Sequence, residues 1–473
     1  MKIYDKLFID GRWTFPDSDS DAIDVINPYT EAVCGQVPSA NEADTNAAVM
    51  AARNAFDAWA ATAPEKRAAL IQHLAQKLME YTDEISQTIT MELGMPISMS
   101  TTIQSGLPAG SMSSYVDLAK NLQVREEIGN SIVIKEPAGV CAFITPWNYP
   151  LHQIVGKVAP ALAAGCTMLV KPSSETPLNA FILAKITQEI GLPNGVFNLV
   201  TGSGELVGEA LCRHPQVDLI SFTGSTHAGR RIGTIAAQGI KRLTLELGGK
   251  STNIILEDAD FEKAVSNGVK NMFLNSGQTC SALSRMLVPE NLLDQAAAIA
   301  KDTALKLKVG DPADAGVFMG PLVSRKQQQR VLNYIKQGIE QGAELICGGT
   351  DIPDHLKSGY FVMPTIFSHV SNQMTIAKEE IFGPVLCIIP FKDETDAVNI
   401  ANDSIYGLSG AVWSKDQDRA IKIAEKLRTG QVAINGGRHN ILAPFGGYKQ
   451  SGRGREFGKF GLEEFLEIKS IQL

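Results

Sequence analysis

The hydrophobic pattern begins with two alanine-rich stretches whose apolar residues recur at helical spacing. Ser39-Ala40-Asn41-Glu42 has the form of a capping box and predicts a helix through about residue 60; Thr62-Ala63-Pro64-Glu65 has the same form and predicts a second helix running towards Gly94. In each box the hydroxyl can accept from a free N–H while the glutamate reaches back. Residues 124–137 are mixed and end in Ile132-Val133-Ile134-Lys135-Glu136-Pro137, the pattern of an exposed strand or hairpin arm. From 139 onward the texture changes. Apolar runs at 140–145, 167–170, 195–200, 217–222 and 242–247 alternate with helically spaced segments at 178–190, 205–213 and 225–237. Short apolar strands separated by helices predict parallel β-α-β units with right-handed crossovers. This is a doubly wound, nucleotide-binding architecture with ligands at the carboxyl ends of its strands. The pattern then resets, with helices predicted over 261–274, 292–307, 325–341 and from 397, and a strand over 286–288. A second α/β domain therefore spans about 249–440. The tail 465–473 alternates like a strand, with the 124–137 arm or another subunit as its possible partner.

Composition adds exclusions. A chain of 473 residues exceeds one ordinary core, and 44% hydrophobic with 20% charged residues is the balance of a soluble globular protein. The net charge of −8, with no basic stripe, argues against a nucleic-acid partner. The N-terminus lacks the apolar run of a signal peptide. The longest apolar stretch, 158–170, contains Pro160 and Gly165 and is too short to span a bilayer, so no membrane partner is expected. Seven cysteines, at 34, 141, 166, 212, 280, 347 and 387, form no CxxC pairs, which points to a reducing, cytoplasmic setting. The histidines are dispersed, and no metal site is read.

Gly202-Ser203-Gly204 with Gly208 resembles a dinucleotide fingerprint, but the third glycine falls one residue late, and a tight turn capping a crossover helix is the simpler reading. Ser221-Phe222-Thr223-Gly224-Ser225-Thr226 is a better phosphate candidate, strand leading into a helix N-terminus with free N–H groups. Cys280 lies in a small polar turn, Asn275 to Ser281, and has the access a nucleophilic thiol needs. Cys141, Cys166, Cys212 and Cys387 sit in apolar runs and read as core. Glu246 ends the last strand of the nucleotide domain, where apolar neighbours would raise its pKa and suit it to general-base work, or where it simply pairs with Lys250. Asn148, in Pro146-Trp147-Asn148-Tyr149-Pro150, is an oxyanion donor or an ordinary turn residue.

Taken together these residues resemble the aldehyde dehydrogenase superfamily. The resemblance runs nearly end to end, from Phe8-Ile9-Asp10-Gly11 through Asn27-Pro28 to 444–452, and rests on Leu-Glu-Leu-Gly-Gly-Lys-Ser at 245–251, Gly-Gln-Thr-Cys at 277–280 and Glu380-Ile381-Phe382-Gly383-Pro384-Val385. It implies a hydrolytic, non-CoA-acylating, NAD(P)-dependent enzyme. Its Rossmann-like domain would comprise 1–115 and 138–248, its catalytic α/β domain 249–440, and its β-strand oligomerisation arm 116–137 and 450–473, giving a homodimer or homotetramer. By the resemblance Cys280 is the nucleophile, Asn148 with the Cys280 N–H the oxyanion hole, and Glu246 the base for deacylation, with Lys157 and Glu467 relaying the proton outward. Ile144, Thr145, Trp147 and Leu247 line the cofactor cleft, Lys171 and the Ser174 position meet the adenosine ribose, Gly224 and Ser225 the pyrophosphate, and Glu380 and Phe382 the nicotinamide ribose and ring.

Three departures from the family pattern matter. Ser174 stands where many NAD-preferring relatives carry a ribose-chelating glutamate, so NAD and NADP both remain open. Gly156 replaces a tryptophan and Gln153 a methionine. With His439 (equally readable as a solvated loop residue), Asn440 and Phe445 on the opposite wall, these predict a roomy, partly polar tunnel for a bulky, aromatic, ketone-bearing or semialdehyde substrate. Arg285 and Arg438 are the candidates for holding a substrate carboxylate. The competing readings are a thiol esterase using Cys280 and Glu246 without a cofactor, and a silent relative.

Overall fold

The computed structural model describes residues 1–17 and 22–473. Its larger sheet has eight strands in the order Gly452–Arg453, Arg242–Glu246, Leu219–Thr223, Val140–Ile144, Thr167–Lys171, Phe197–Leu199, Leu7–Ile9 and Arg12–Thr14. The strands from Arg242–Glu246 to Phe197–Leu199 run parallel, and the outer ones are antiparallel. Val140–Ile144, Thr167–Lys171 and Leu219–Thr223 are buried at every residue, as a parallel sheet covered on both faces requires. The alternation predicted from 139 to 247 is thus realised, with right-handed β-α-β logic setting the order.

Strand order places the site. The chain starts in Val140–Ile144, moves outward through Thr167–Lys171 to Phe197–Leu199, then returns to Leu219–Thr223 on the other flank. Direction reverses between Val140–Ile144 and Leu219–Thr223, and a crevice opens at their carboxyl ends. The helix Pro150–Ala164 leaves this crevice. It begins with Pro150 in its first turn, ends on Gly165 in the left-handed conformation (φ 97°), and is buried throughout. The helices Pro64–Glu80 and Leu107–Lys120 pack over it.

The second sheet has seven strands in the order Glu344–Cys347, Thr365–Ser368, Val385–Phe391, Arg285–Pro289, Thr252–Ile255, Ser409–Trp413 and Gln431–Ile434. Only Arg285–Pro289 was predicted among these strands. The helices Phe261–Phe273, Leu293–Leu305, Arg325–Glu340 and Glu394–Asn402 match the predicted positions. A three-stranded sheet joins Arg125–Ile128, Ser131–Pro137 and Leu466–Gln472, so the tail pairs antiparallel with the predicted arm, Glu467 opposite Glu136.

Several expectations are corrected. The first helix, Glu42–Ala60, is capped by Asn41 rather than Ser39: Asn41 Oδ1 accepts from Asp44 N (2.9 Å) and Asp44 Oδ2 from Asn41 N (2.9 Å). Thr62 caps nothing; its hydroxyl donates to Ala58 O (3.0 Å) at the end of that helix. The second helix stops at Glu80, and a separate one, Thr82–Leu93, ends at Gly94. The division at 115/116 would cut the helix Leu107–Lys120. The division at 450 fails because Gly452–Arg453 returns to pair with Arg242–Glu246. The Gly202–Gly208 stretch is a capping turn, with Ser203 Oγ accepting from Leu206 N (3.0 Å). Among the described residues no helix is long and apolar enough to cross a membrane.

Candidate active site

Each strand end at the crevice presents one group. After Val140–Ile144 the chain turns through Trp147 and Asn148. The Asn148 carbonyl is fixed by two side-chain donors, Asn275 Nδ2 (2.9 Å) and Gln104 Nε2 (3.1 Å). Gln104 lies on a π-helical turn, Ser100–Gly106, that no sequence signal announced; such turns recur at functional sites. The Asn148 amide donates one N–H to Gln278 O (3.0 Å), leaving its second N–H for another acceptor. After Leu219–Thr223, Gly224 N donates to Glu246 O (3.0 Å), and Ser225 caps the helix Thr226–Gln238 by accepting from Ala228 N (3.2 Å). The free N–H groups of that helix start therefore face the crevice.

Glu246 is buried, and among the described residues neither of its carboxylate oxygens has a hydrogen-bond partner. Burial holds its carboxyl well above the usual range, with Glu456 adding to the effect and Lys157 and Arg455 opposing it. The expected pairing with Lys250 is not made. Gly446 makes room for the carboxylate: a Cβ there would stand 2.8 Å from Glu246 Oε1, and its φ of +152° disfavours a side chain as well.

Cys280 comes from the second sheet's side. The approach to it holds Asn275 (φ 51°) and Ser276 (φ 56°) in the left-handed region, strain of a kind that collects at functional sites. Burial pushes the thiol up to about 12, with Glu380 and then Glu246 adding to it. Cys141, Cys166, Cys212 and Cys387 are fully buried, as read from their apolar runs.

One cavity of about 150 Å³ joins these groups. It is lined by Trp147, Asn148, Gly224, Ser225, Glu246, Leu247, Cys280, Glu380 and Phe382. The ring of Phe382 meets Trp147 edge-on at 5.3 Å. Glu380 accepts from Gly249 N (3.0 Å), and a Cβ at Gly248 would lie 2.3 Å from its Oε2. The Glu380–Phe382 turn is tied down by Arg330, whose Nη2 donates to Glu380 O (2.7 Å), and by Gln327, whose Nε2 donates to Phe382 O (2.7 Å). Both line the cavity and were missed, because on a polar helix face they look like any solvated residue.

Ile144, Thr145, Lys171 and Ser174 lie off this cavity. Thr145 N donates to Lys171 O (3.1 Å). Ile144 and the Lys171 side chain flank Gly208, at 3.9 and 3.8 Å from where its Cβ would be. Lys171 is buried, among the described residues donates only to Pro172 O (3.0 Å), and burial draws its amine down to about 8. Ser174 Oγ donates to Gly202 O (3.2 Å).

The relay pair is corrected. Lys157 is buried and donates to Thr223 Oγ1 (2.8 Å), but its ion-pair partner is Glu456, itself buried. Glu467 is exposed on the C-terminal strand and pairs with Arg242 (2.8 Å). Alternating strand residues point to opposite faces, and this edge strand carries Glu467 away from the crevice.

The substrate side is also corrected. Beside Gly156 lies the ring of Phe457, its Cε1 3.4 Å from where a Cβ on Gly156 would stand. Phe457 stacks on His152 (5.2 Å, 18°) and meets His439 (5.7 Å) and Phe445 (6.2 Å) edge-on. Cys280 packs against the cluster of Leu408, Phe445 and Phe457. Gln153 is buried beside it, and His439 is exposed but rests on both phenylalanine rings. Arg285 is buried and spent on Lys250 O, Ile400 O, Ala401 O and Asn372 Oδ1, so it holds no substrate; Arg438 is exposed.

The model of the aldehyde dehydrogenase family matches residues 13–471. The chain is 51% identical over 472 residues to a 3-succinoylsemialdehyde-pyridine dehydrogenase of Pseudomonas sp., covering 100% of this chain and 99% of that protein. Aldehyde dehydrogenase C of Pseudomonas syringae, solved as a cysteine-to-alanine mutant with NAD+ and octanal, superposes with a TM-score of 0.98 at 46% identity, over 99% of this chain and 96% of that one. An aldehyde dehydrogenase of Mycobacterium tuberculosis, solved with NAD+, gives 0.97 at 46% identity, over 100% and 98%. The chain belongs to the aldehyde dehydrogenase family and is an oxidoreductase acting on aldehydes. A cofactor-free thiol esterase is not favoured.

Proposed function

We propose that the protein oxidises a bulky, aromatic or ketone-bearing aldehyde to its carboxylic acid, with NAD as acceptor and NADP admitted. The observation that carries this reading is the convergence of Cys280, Asn148 and Glu246 on one cavity at the sheet's reversal point. Cys280 attacks the carbonyl carbon as its thiolate, the thiol proton having left to solvent through the cavity. The oxyanion of the thiohemiacetal is held by the second Asn148 N–H and the Cys280 backbone N–H, where losing one such donor typically costs about 100- to 1000-fold. NAD, held by Glu380 and the Ser225 helix start, would supply the acceptor for the hydride that leaves as the thiohemiacetal becomes a thioester. Glu246 then takes a proton from water, which its two unbonded oxygens are placed to bind, and the acid is released. The proton passes on through Glu456 and Lys157, the buried pair beside it.

The cofactor fits the residues present. Lys171 is a buried amine with one weak carbonyl partner, the Ser225 helix start offers free N–H groups for a pyrophosphate, and Glu380 faces the cavity to hold ribose hydroxyls. Ser174 brings no carboxylate against a 2′-phosphate. The Pseudomonas relative is named for a pyridine-bearing semialdehyde and the P. syringae enzyme was solved with octanal, which supports a deep, ring-tolerant tunnel. The C-terminal strand Leu466–Gln472 lies at the edge of its sheet and carries Ile468, 72% exposed, which favours a homodimer or homotetramer built through that edge. Seven unpaired cysteines favour the cytoplasm.

The test is reduction of NAD and NADP across an aldehyde panel by the native chain and Cys280→Ala. Turnover that depends on Cys280, with ring-bearing aldehydes at least matching acetaldehyde, is expected. Acetaldehyde far above benzaldehyde-like substrates would overturn the substrate reading, and a fully active Cys280→Ala would overturn the mechanism.

A further inference from the structure

Lys250 stands near the end of the Leu245-to-Ser251 signature, and the mechanism leaves it unused. Its side chain is buried, 2% exposed, and among the described residues its Nζ has no hydrogen-bond partner. An ammonium shut away from water without a partner is costly, so what it faces has to account for it. Lys250 lines a second, small cavity of about 10 Å³, which is room for one water. Gly249, Thr279, Ser284, Glu380 and Phe382 share that lining. Glu380 and Phe382 line the larger cavity as well, so a single turn borders both. That turn holds Phe382 at a φ of +62°, a left-handed conformation that only its surroundings can maintain. Arg330 and Gln327 hold the backbone carbonyls of the turn, whereas the Glu380 carboxylate itself accepts from Gly249 N (3.0 Å).

We infer that Lys250 is a positioning residue for the cofactor: through one water in the small cavity, its ammonium anchors the Glu380 carboxylate that meets the ribose in the larger one. This rests on the reading above in which Glu380 holds ribose hydroxyls. The electrostatics run the same way. Burial raises the Glu380 carboxyl, and Gly249 N, Arg330 and Lys250 oppose the rise. Burial draws the Lys250 amine down to about 8, with Cys387 and then Glu380 and Glu379 working against it and Arg285 adding to it. At pH 7 the group is therefore an ammonium. Hydrogen bonds to an ionised acceptor are roughly twice as strong as neutral ones, and a nearby cation favours the ionised form. A cation behind Glu380 thus strengthens the grip on the ribose in front of it.

The experiment is calorimetric titration at pH 7 of NAD and of ADP into the native chain, Lys250→Met, Glu380→Gln and the double variant. ADP carries the adenosine half of the cofactor and lacks the nicotinamide ribose, so it reports on the rest of the site. Glu380→Gln is expected to weaken NAD about tenfold and to leave ADP within about twofold. Lys250→Met should weaken NAD about fivefold, again sparing ADP. Once Glu380 is Gln, replacing Lys250 should add less than about twofold, because the carboxylate it serves is gone. Native affinity for NAD in Lys250→Met would overturn the proposal. So would an equal loss for ADP, which marks a packing role, or two losses that multiply in the double variant. Native affinity for NAD in Glu380→Gln would instead sink the reading of Glu380 as the ribose ligand, and the inference with it. If the thermal midpoint shows that Lys250→Met does not fold, Lys250→Gln, neutral but polar, takes its place and the same outcomes decide.

Discussion

On one side of Cys280 the cavity wall is made of short turns at strand ends, Pro146 to Asn148, Thr223 to Ser225 and Glu246 to Gly249, each contributing backbone or one fixed side chain. On the other side, outside that cavity, Cys280 packs against a wall of rings: Phe445 and Phe457, with His152 and His439 resting on them. The first wall is dictated by local sequence, because a parallel sheet fixes where its strand ends lie and glycine fixes how closely the chain can approach. The second depends on which residues a distant loop brings back across the helix. On the proposed mechanism the chemistry belongs to the first wall, and substitutions in the two should separate rate from selectivity.

The largest effect is expected at the strand ends. Glu246→Gln keeps size and polarity but removes the base, and deacylation should fall by about 100- to 10,000-fold. A first-turnover burst of reduced nicotinamide should persist, because acylation then outruns hydrolysis. The pH profile sharpens the test. Burial and Glu456 raise the Glu246 carboxyl, so its basic form grows as pH rises and hydrolysis should climb through the alkaline limb; in Glu246→Gln that limb should flatten. Rapid-quench measurement of the acyl-enzyme checks both, and an unchanged steady state with a normal limb would remove Glu246 from the mechanism.

A second substitution separates the buried relay from the surface residue that resembles it on paper. Glu456→Gln leaves Lys157 buried beside a neutral amide, and breaking such a pair typically costs about 3–5 kcal/mol; the thermal midpoint should drop clearly. Removing the charge that raises Glu246 should also move the alkaline limb to lower pH. Glu467→Gln cuts only an exposed pair with Arg242 and should stay within about 0.5 kcal/mol of the native chain with the same pH profile. A pH limb that shifted in Glu467→Gln and held in Glu456→Gln would reverse this assignment.

The same contrast explains what could be read before the structure. The five parallel strands of the first sheet were visible because each falls in an apolar stretch set between helices, whereas Leu7–Ile9, Arg12–Thr14 and Gly452–Arg453 gave no such signal. Asn148, Glu246 and Cys280 stand in specific short motifs beside those turns. The strands Thr365–Ser368, Ser409–Trp413 and Gln431–Ile434 escaped because they are short and either lack a sustained apolar run or contain glycine. Glu456 was passed over for Glu467 because both are glutamates of one C-terminal stretch, and only strand pairing shows which of them turns inward. Nothing local to Gly156 reveals that Phe457, held at a φ of +67° in the loop ahead of the helix Gly458–Glu463, packs beside it.

The smallest effect concerns the cofactor wall, and it tests whether that wall distinguishes NAD from NADP. Lys171 is buried with no ion-pair partner among the described residues, and burial draws its amine from the ordinary lysine value down to about 8. Below that pH the ammonium is present and a 2′-phosphate can neutralise it. Above it the amine is neutral and the phosphate has lost its partner. The ratio of kcat/KM for NADP to that for NAD should therefore decline as pH rises through about 8. Ser174→Glu should lower the same ratio at every pH by about tenfold, roughly 1.4 kcal/mol, because a carboxylate now opposes the phosphate while still accepting ribose hydroxyls. Steady-state rates with both nicotinamides from pH 6 to 10 decide the matter. A ratio flat across pH in the native chain would mean that Lys171 does not meet the 2′-phosphate, and the tolerance for NADP would then rest on the hydroxyl of Ser174 alone.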